Sequence, residues 1–129
     1  MKKFELTSEF VTFLGKKLFR IKALISFGNV EEGELGGYVE KEENLSNDGN
    51  AWVYGNARVF GNARVSGDAE VYGNAWVSGD AEVYGNARVY GNVRVYGNAR
   101  VCGDARVCGD VRVCGDARGV RRCSGVRRC

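Results

Sequence analysis

The sequence predicts an all-β fold: a single-stranded parallel β-helix of triangular section, about four coils tall, with a small β-hairpin capping its start. Three observations carry this. From Gly49 to Arg118 one hexad recurs twelve times without slipping register, the last copy cut short. Within each hexad an Ala or Val at the third position and a Val at the fifth alternate with residues of exposed type. Each copy opens on Gly followed by Asn or Asp, a pair suited to a corner.

The hexad is read locally first. Ala51 and Val53, or Ala57 and Val59, are two apart and share one side of a strand, while Arg58 and Phe60 take the other. Gly accepts positive φ without steric cost, and Asn and Asp tolerate it better than other residues with a Cβ. Each hexad is thus expected to be a four-residue strand and a two-residue corner. An antiparallel meander with Gly-Asn hairpins also fits locally, but leaves its Ala and Val on one uncovered face. Corners that turn less sharply let three hexads close a triangle and stack like residues 18 apart, about 4.8 Å from each other. That arrangement buries the apolar side, and it predicts three interior ladders. They are Val53, Val71, Val89 and Val107; Val59, Val77, Val95 and Val113; and Val65, Val83 and Val101.

Three segments follow from this reading: 1–48, a hairpin and capping segment; 49–118, the repeat; and 119–129, an irregular tail. In the first, Val11, Phe13, Phe19 and Ile21 alternate with polar residues about Gly15-Lys16, which predicts a β-hairpin. Phe4 and Leu6 suggest a further short strand, and FGNVEEGELGG a turn-rich connector. Val39 and Leu45 stand 12 and 6 residues before Ala51, as degenerate first rungs. The segment's expected task is to cover the open edge of the first coil.

Composition bounds the classes available. The 129 residues are 44% hydrophobic with a mean hydropathy of -0.29, a globular composition. Glu5 and Glu9 interrupt what would be the apolar part of a leader, and no stretch approaches the ~20 apolar residues of a membrane helix. The expectation is no membrane partner and a cytoplasmic, or virion-associated, location. The net charge of +3 conceals an asymmetry: residues 88–129 hold ten Arg against three Asp, whereas the rest of the chain is acidic.

The V-x-G-[ND]-A-x pattern over 49–118 resembles the hexapeptide repeat of the left-handed parallel β-helix superfamily. The stretch LGGYVEKEENLSNDGNAWVYGNARV resembles the opening of uncharacterised hexapeptide-repeat proteins of bacterial and prophage genomes. Left-handed coiling is implied by that resemblance alone, because parallel crossovers are generally right-handed. The resemblance also implies acyl transfer, which in many such proteins uses a histidine base and an acyl donor bound between coils. This chain has no histidine and no insertion in its repeat. The expectation is therefore no catalytic residue and no cofactor, with relationship to hexapeptide acyltransferases as the alternative.

Two residue sets invite a site. Cys102, Cys108 and Cys114 recur every six residues, so they fall on three different outer faces and share neither a disulfide nor a metal ion; no metal site is assigned. Arg88 and Arg106 stack one coil apart, as do Arg94 and Arg112, and Arg100 and Arg118. Tyr84, Tyr90 and Tyr96 alternate with them. Such a basic, aromatic-bearing surface is a candidate contact for a polyanion or an acidic protein, weighed against a solvated face with Asp104, Asp110 and Asp116 beside it.

After Arg118 the pattern breaks into GVRRCSGVRRC. One set of codons that encodes Gly119–Cys129, read one base out of phase, returns VCGDARVCGD, and the expectation is that the tail is a frame-shifted continuation of the repeat. An uncapped last coil would expose a β edge, and exposed edges associate. The expected partner is therefore a second copy of the chain, in side-by-side trimers or end-to-end stacks. The functional expectation is a non-enzymatic β-helical scaffold or interaction module of phage or bacterial origin.

Overall fold

The structure, a computed structural model, describes residues 2–13, 15–103 and 106–107, and the strand pairing alone of 112–113 and 127–128. Strands β1 (Phe4–Phe13) and β2 (Lys16–Ala23) form an antiparallel hairpin, and β3 (Leu35–Val39) with a 3-10 turn at Glu42–Asn44 leads into the repeat. Two-residue rungs then recur once per hexad. They are β4 (Trp52–Val53), β5 (Arg58–Val59), β6 (Arg64–Val65), β7 (Glu70–Val71), β8 (Trp76–Val77), β9 (Glu82–Val83), β10 (Arg88–Val89), β11 (Arg94–Val95), β12 (Arg100–Val101), β13 (Arg106–Val107) and β14 (Arg112–Val113). A last strand, β15 (Arg127–Arg128), pairs parallel with β14. The rest of the tail lies outside the described residues.

Every third rung pairs in parallel, so the chain coils through about four turns as a β-solenoid. Face I holds β4, β7, β10 and β13; face II holds β3, β5, β8, β11 and β14; face III holds β6, β9 and β12. The three valine ladders expected by counting are present: Val89 opposes Val71 and Val107, Val77 opposes Val59 and Val95, and Val83 opposes Val65 and Val101. Each described interior Ala and Val of the repeat is fully buried. Burying one Val is worth roughly 1.5–3 kcal/mol, so the ladders are the main cohesive element.

The laddered strands are shorter than expected, two residues and not four. The corner consumes more chain: Gly55 has φ 59°, and the N–H of Ala57 folds back onto the carbonyl of Tyr54 at 3.0 Å, drawing the Ala into the bend. The glycines also stack. A Cβ on Gly67 would stand 2.9 Å from the amide nitrogen of Gly85 one coil on, so these positions exclude a side chain twice over.

The N-terminal segment departs from expectation in three details. Phe4 and Leu6 belong to β1 itself, with a register shift before Phe10. The end of the turn-rich connector is strand β3, whose Gly36 and Gly37 lie directly on the first coil; a Cβ there would approach the carbonyls of Val53 and Ala57 to 2.5 and 2.6 Å. Val39 and Leu45 do begin the coil, but in the valine columns, over Val59 and Val65, so this entry coil is two residues longer than the rest. The extra residues fall in the corner 46–52.

The upper edge of the first coil is closed group by group. On face II the N–H groups of Tyr38 and Glu40 donate to the carbonyls of Ala57 and Val59 at 3.0 and 3.1 Å. On face III Ser46 donates to Val65 at 2.9 Å, and the buried Asn44 Nδ2 donates to Gly61 and Ala63 at 3.2 and 2.8 Å. Asn44 Oδ1 accepts from the N–H groups of Glu40 and Lys41, so the whole amide is used. At the entry to face I the buried Lys3 Nζ donates to Gly49 and Ala51 at 3.3 and 2.7 Å. The N-terminal segment thus covers the backbone edge of the first coil, through Lys3, β3 and the turn that follows it.

It also covers side chains that the hexad pattern places outside. Trp52, on face I, is fully buried under Phe4 and Phe27, whose rings meet it edge to face at 6.4 and 5.3 Å. Phe60, on face II, joins Leu18 and Tyr38 in a second small core against Val11, Phe13 and Trp76. The hairpin wraps two faces and leaves face III open.

Candidate functional site

The outward columns can be read face by face. Face I presents Trp52, Glu70, Arg88 and Arg106; face III presents Arg64, Glu82 and Arg100. Face II presents Tyr38, Arg58, Trp76 and Arg94, with Arg112 next in the column. The five arginines singled out from the sequence are therefore spread around the prism. Arg88 stacks over Arg106 and Arg94 over Arg112 as counted, while Arg100 stands on the third face; Arg118 lies outside the described residues.

Their electrostatic settings differ. Arg88 pairs with Glu70 at 3.6 Å and Arg100 with Glu82 at 3.8 Å, each acid one coil above. These are half-exposed pairs, worth on the order of 0–1 kcal/mol. Arg94 has an aromatic neighbour in place of an acid: its guanidinium lies 4.1 Å from the centre of the Trp76 ring. Arg58, which the sequence reading passed over, lies 4.6 Å over Phe13 and 6.0 Å from Tyr38. Neither has a carboxylate within ion-pair distance among the described residues. The Arg58 Nε is buried with no hydrogen-bond partner.

The three tyrosines occupy three different corners. Tyr90 continues a ladder with Tyr54 and Tyr72, centroids 5.9 Å apart edge to face and then 4.8 Å apart in parallel stacking. Burial pushes the Tyr54 phenol up to about 12, helped by the charge of Glu70, and pushes Tyr72 up in the same sense. Tyr84 is raised first by its hydrogen bond with the Cys102 side chain, its neighbour in the next coil. Tyr96 stands in the column of Phe60 and Ser78. Cys108 and Cys114 lie outside the described residues.

Open grooves lie along two of these faces among the described residues. One, of 710 Å³, lies on face III where the hairpin leaves the first coil bare; Glu42, Glu43, Leu45, Arg64, Glu82 and Tyr84 are among its walls. The other, of 460 Å³, runs along face II between the corner residues Asn56, Asn74 and Asn92 and the column Arg58, Trp76 and Arg94. Counting by 18 locates the second; attention to the arginine-rich C-terminal third obscures it.

Parallel rungs stacked in three columns around a buried Ala/Val interior define a β-solenoid repeat protein. The repeat itself is similar to the YdcK beta solenoid repeat, whose family model matches residues 51–67, 57–72, 63–79, 81–97, 87–103, 93–109 and 99–115. No curated protein matches the chain. Those matched stretches coincide with the rungs and corners, and stop short of the hairpin.

Proposed function

We propose that this chain is a non-enzymatic scaffold or interaction module of bacterial or phage origin that associates with copies of itself. One observation carries the reading: the hexad divides its labour. Its inward positions are spent on identical, fully buried Ala and Val, while its outward positions carry Trp, Glu, Arg, Tyr and Ser in varied order on a rigid frame. A frame of constant geometry with a variable surface suits recognition. The absence of histidine from the sequence weighs against the acyl-transfer alternative.

The closed upper edge of the first coil restricts how copies meet. Its carbonyls are met by Lys3, Asn44, Ser46 and β3, so strand addition directly onto the first coil is blocked, and the edge strand at that end is β1. Side-by-side packing through uncovered face III, as in a trimer, or stacking from the opposite end, is favoured. Light scattering over a concentration series tests the reading; a mass above the 14.1 kDa of one chain is expected, and a strictly monomeric mass at high concentration contradicts it. Acetyl transfer from coenzyme A well above background would contradict the non-enzymatic part.

A further inference from the structure

The groove on face II differs in charge from the outward columns of the other two faces. The outward columns of faces I and III each place a glutamate among their arginines. Among the described residues the other two corner columns likewise contain acids, Asp68 and Asp80, whereas the next member of the face II column, Asp110, lies outside them. Face II has no acid lining its groove: Asn56, Asn74 and Asn92 form one side, Arg58, Trp76 and Arg94 the other. Both guanidiniums are held by aromatic rings and not by carboxylates, so they are oriented without being neutralised. An oriented cation free of an internal counter-ion is what an anionic ligand meets at least cost.

The shape of the ligand follows from the repeat. The amides of the Asn column recur every ~4.8 Å along the axis and the two arginines stand two coils apart, ~9.6 Å. Asn56 and Asn74 are exposed, and the Asn74 Nδ2 reaches Asn92 Oδ1 only at 3.5 Å, a long contact that leaves these two amides donor and acceptor capacity. A ligand laid along the groove thus meets a neutral donor–acceptor pair at every coil and a guanidinium at alternate coils. Nucleic acid fits poorly. It binds such grooves by stacking bases on free aromatic faces, whereas Trp76 is covered by Arg94 and approached edge-on by Phe13 at 4.5 Å, and the tyrosines of the adjacent corner stack on one another. A strand-like peptide presents same-face side chains only every ~6.6 Å, out of step with the ~9.6 Å between the two arginines. A pyranose is about as long as the coil spacing, and its hydroxyls both donate and accept, as the amides do.

We infer that face II binds a linear, carboxylate-bearing polysaccharide along the solenoid axis, its carboxylates on Arg58 and Arg94 and its hydroxyls on Asn56 and Asn74. The inference rests on the interaction-module reading above and names the ligand class of one of its faces.

The test is affinity electrophoresis and calorimetry with polygalacturonate, against dextran, polyglutamate and single-stranded DNA, at 20–200 mM salt. Polygalacturonate is expected to bind most tightly and to weaken with salt. Asn74→Asp is the decisive variant. It places a carboxylate mid-groove in the same setting that Asp68 occupies natively between Asn50 and Asn86, so the fold tolerates it. Asn74→Asp and Arg94→Gln are each expected to weaken binding at least tenfold, and Arg88→Gln on face I less than twofold. No binding at 20 mM salt, equal losses in all three variants, or dextran, polyglutamate or DNA bound as tightly, overturns the inference. Self-association is read separately by light scattering, so a negative glycan result in an associating protein removes this assignment and leaves the scaffold reading standing.

Discussion

The first coil and the coils after it are built from the same hexad and held in different ways. In the repeat, each coil is covered by another like it, and stability comes from many small equal terms: a valine ladder, a glycine stack, backbone bonds at 2.8–3.2 Å. At the first coil nothing like it lies above. There the same carbonyls are met by single, unrepeated groups, Lys3, Asn44 and the N–H groups of Tyr38 and Glu40. Periodic structure spreads its cohesion and tolerates local damage; the cap concentrates it in few residues, each without a substitute. The two regions should therefore respond to mutation on different scales.

The largest contrast is between glycines. Gly36→Ala would drive a Cβ into the Val53 carbonyl, the Ile21 side chain and the Trp52 ring, and a loss of about 3 kcal/mol or more is expected in chemical denaturation. Gly55→Ala has open space around it and carries only the cost of positive φ, about 1–2 kcal/mol. Asn44→Leu comes next. It strands two carbonyls and two N–H groups and should cost about 2–4 kcal/mol, against about 0.5 kcal/mol for Asn62→Ala at an exposed corner of the repeat.

Lys3 gives the cap a pH signature opposite in sign to that of the repeat. Burial lowers its pKa from 10.5 to about 8, against the opposing pull of Asp48 and Asp68. Between those values the unfolded chain holds a proton that the folded chain has released. Stability accordingly rises as pH climbs from 8 towards 10.5, by an amount on the order of 3 kcal/mol at most. The neutral amine still donates to Gly49 and Ala51. Tyr54 acts with the opposite sign: folded, it keeps its proton until about 12, so above 10 stability falls. Thermal midpoints across pH 7–11 should pass through a maximum near 10, and Lys3→Met should flatten the rising limb alone. The smallest effect belongs to the repeat surface. Glu70→Gln removes a half-exposed partner of Arg88 and should change stability by less than about 0.5 kcal/mol, while raising sensitivity to polyanions on face I.

The difference between the regions also explains what could be read beforehand. The columns headed by Val53, Val59 and Val65 are legible because a period repeated without error leaves one way to bury Ala and Val together. The hairpin about Gly15-Lys16 is legible from simple alternation. Trp52 and Phe60 were assigned outward by the same period, and they do point out of the coil; what the period does not contain is the hairpin folded over them. Lys3 and Asn44 carry no local signal at all, since a lysine near a chain start and an asparagine in EEN look like solvated residues until the carbonyls they meet are located. The face II groove was countable at intervals of 18, from Arg58 through Trp76 to Arg94. It was missed because the arginine count rises most steeply after residue 88, and density in sequence is not density on one face of a three-sided coil.

The central claim is that the N-terminal segment and the solenoid form one cooperative body, the segment serving as the terminal coil and not as an attached domain. Native-state hydrogen exchange tests this most directly. The amides of Tyr38 and Glu40, which bond to the first coil, should exchange within about tenfold of those of Tyr72 and Ser78 in the second, through one shared opening. Exchange at Tyr38 and Glu40 faster by a factor of a thousand, with the repeat still protected, would contradict it.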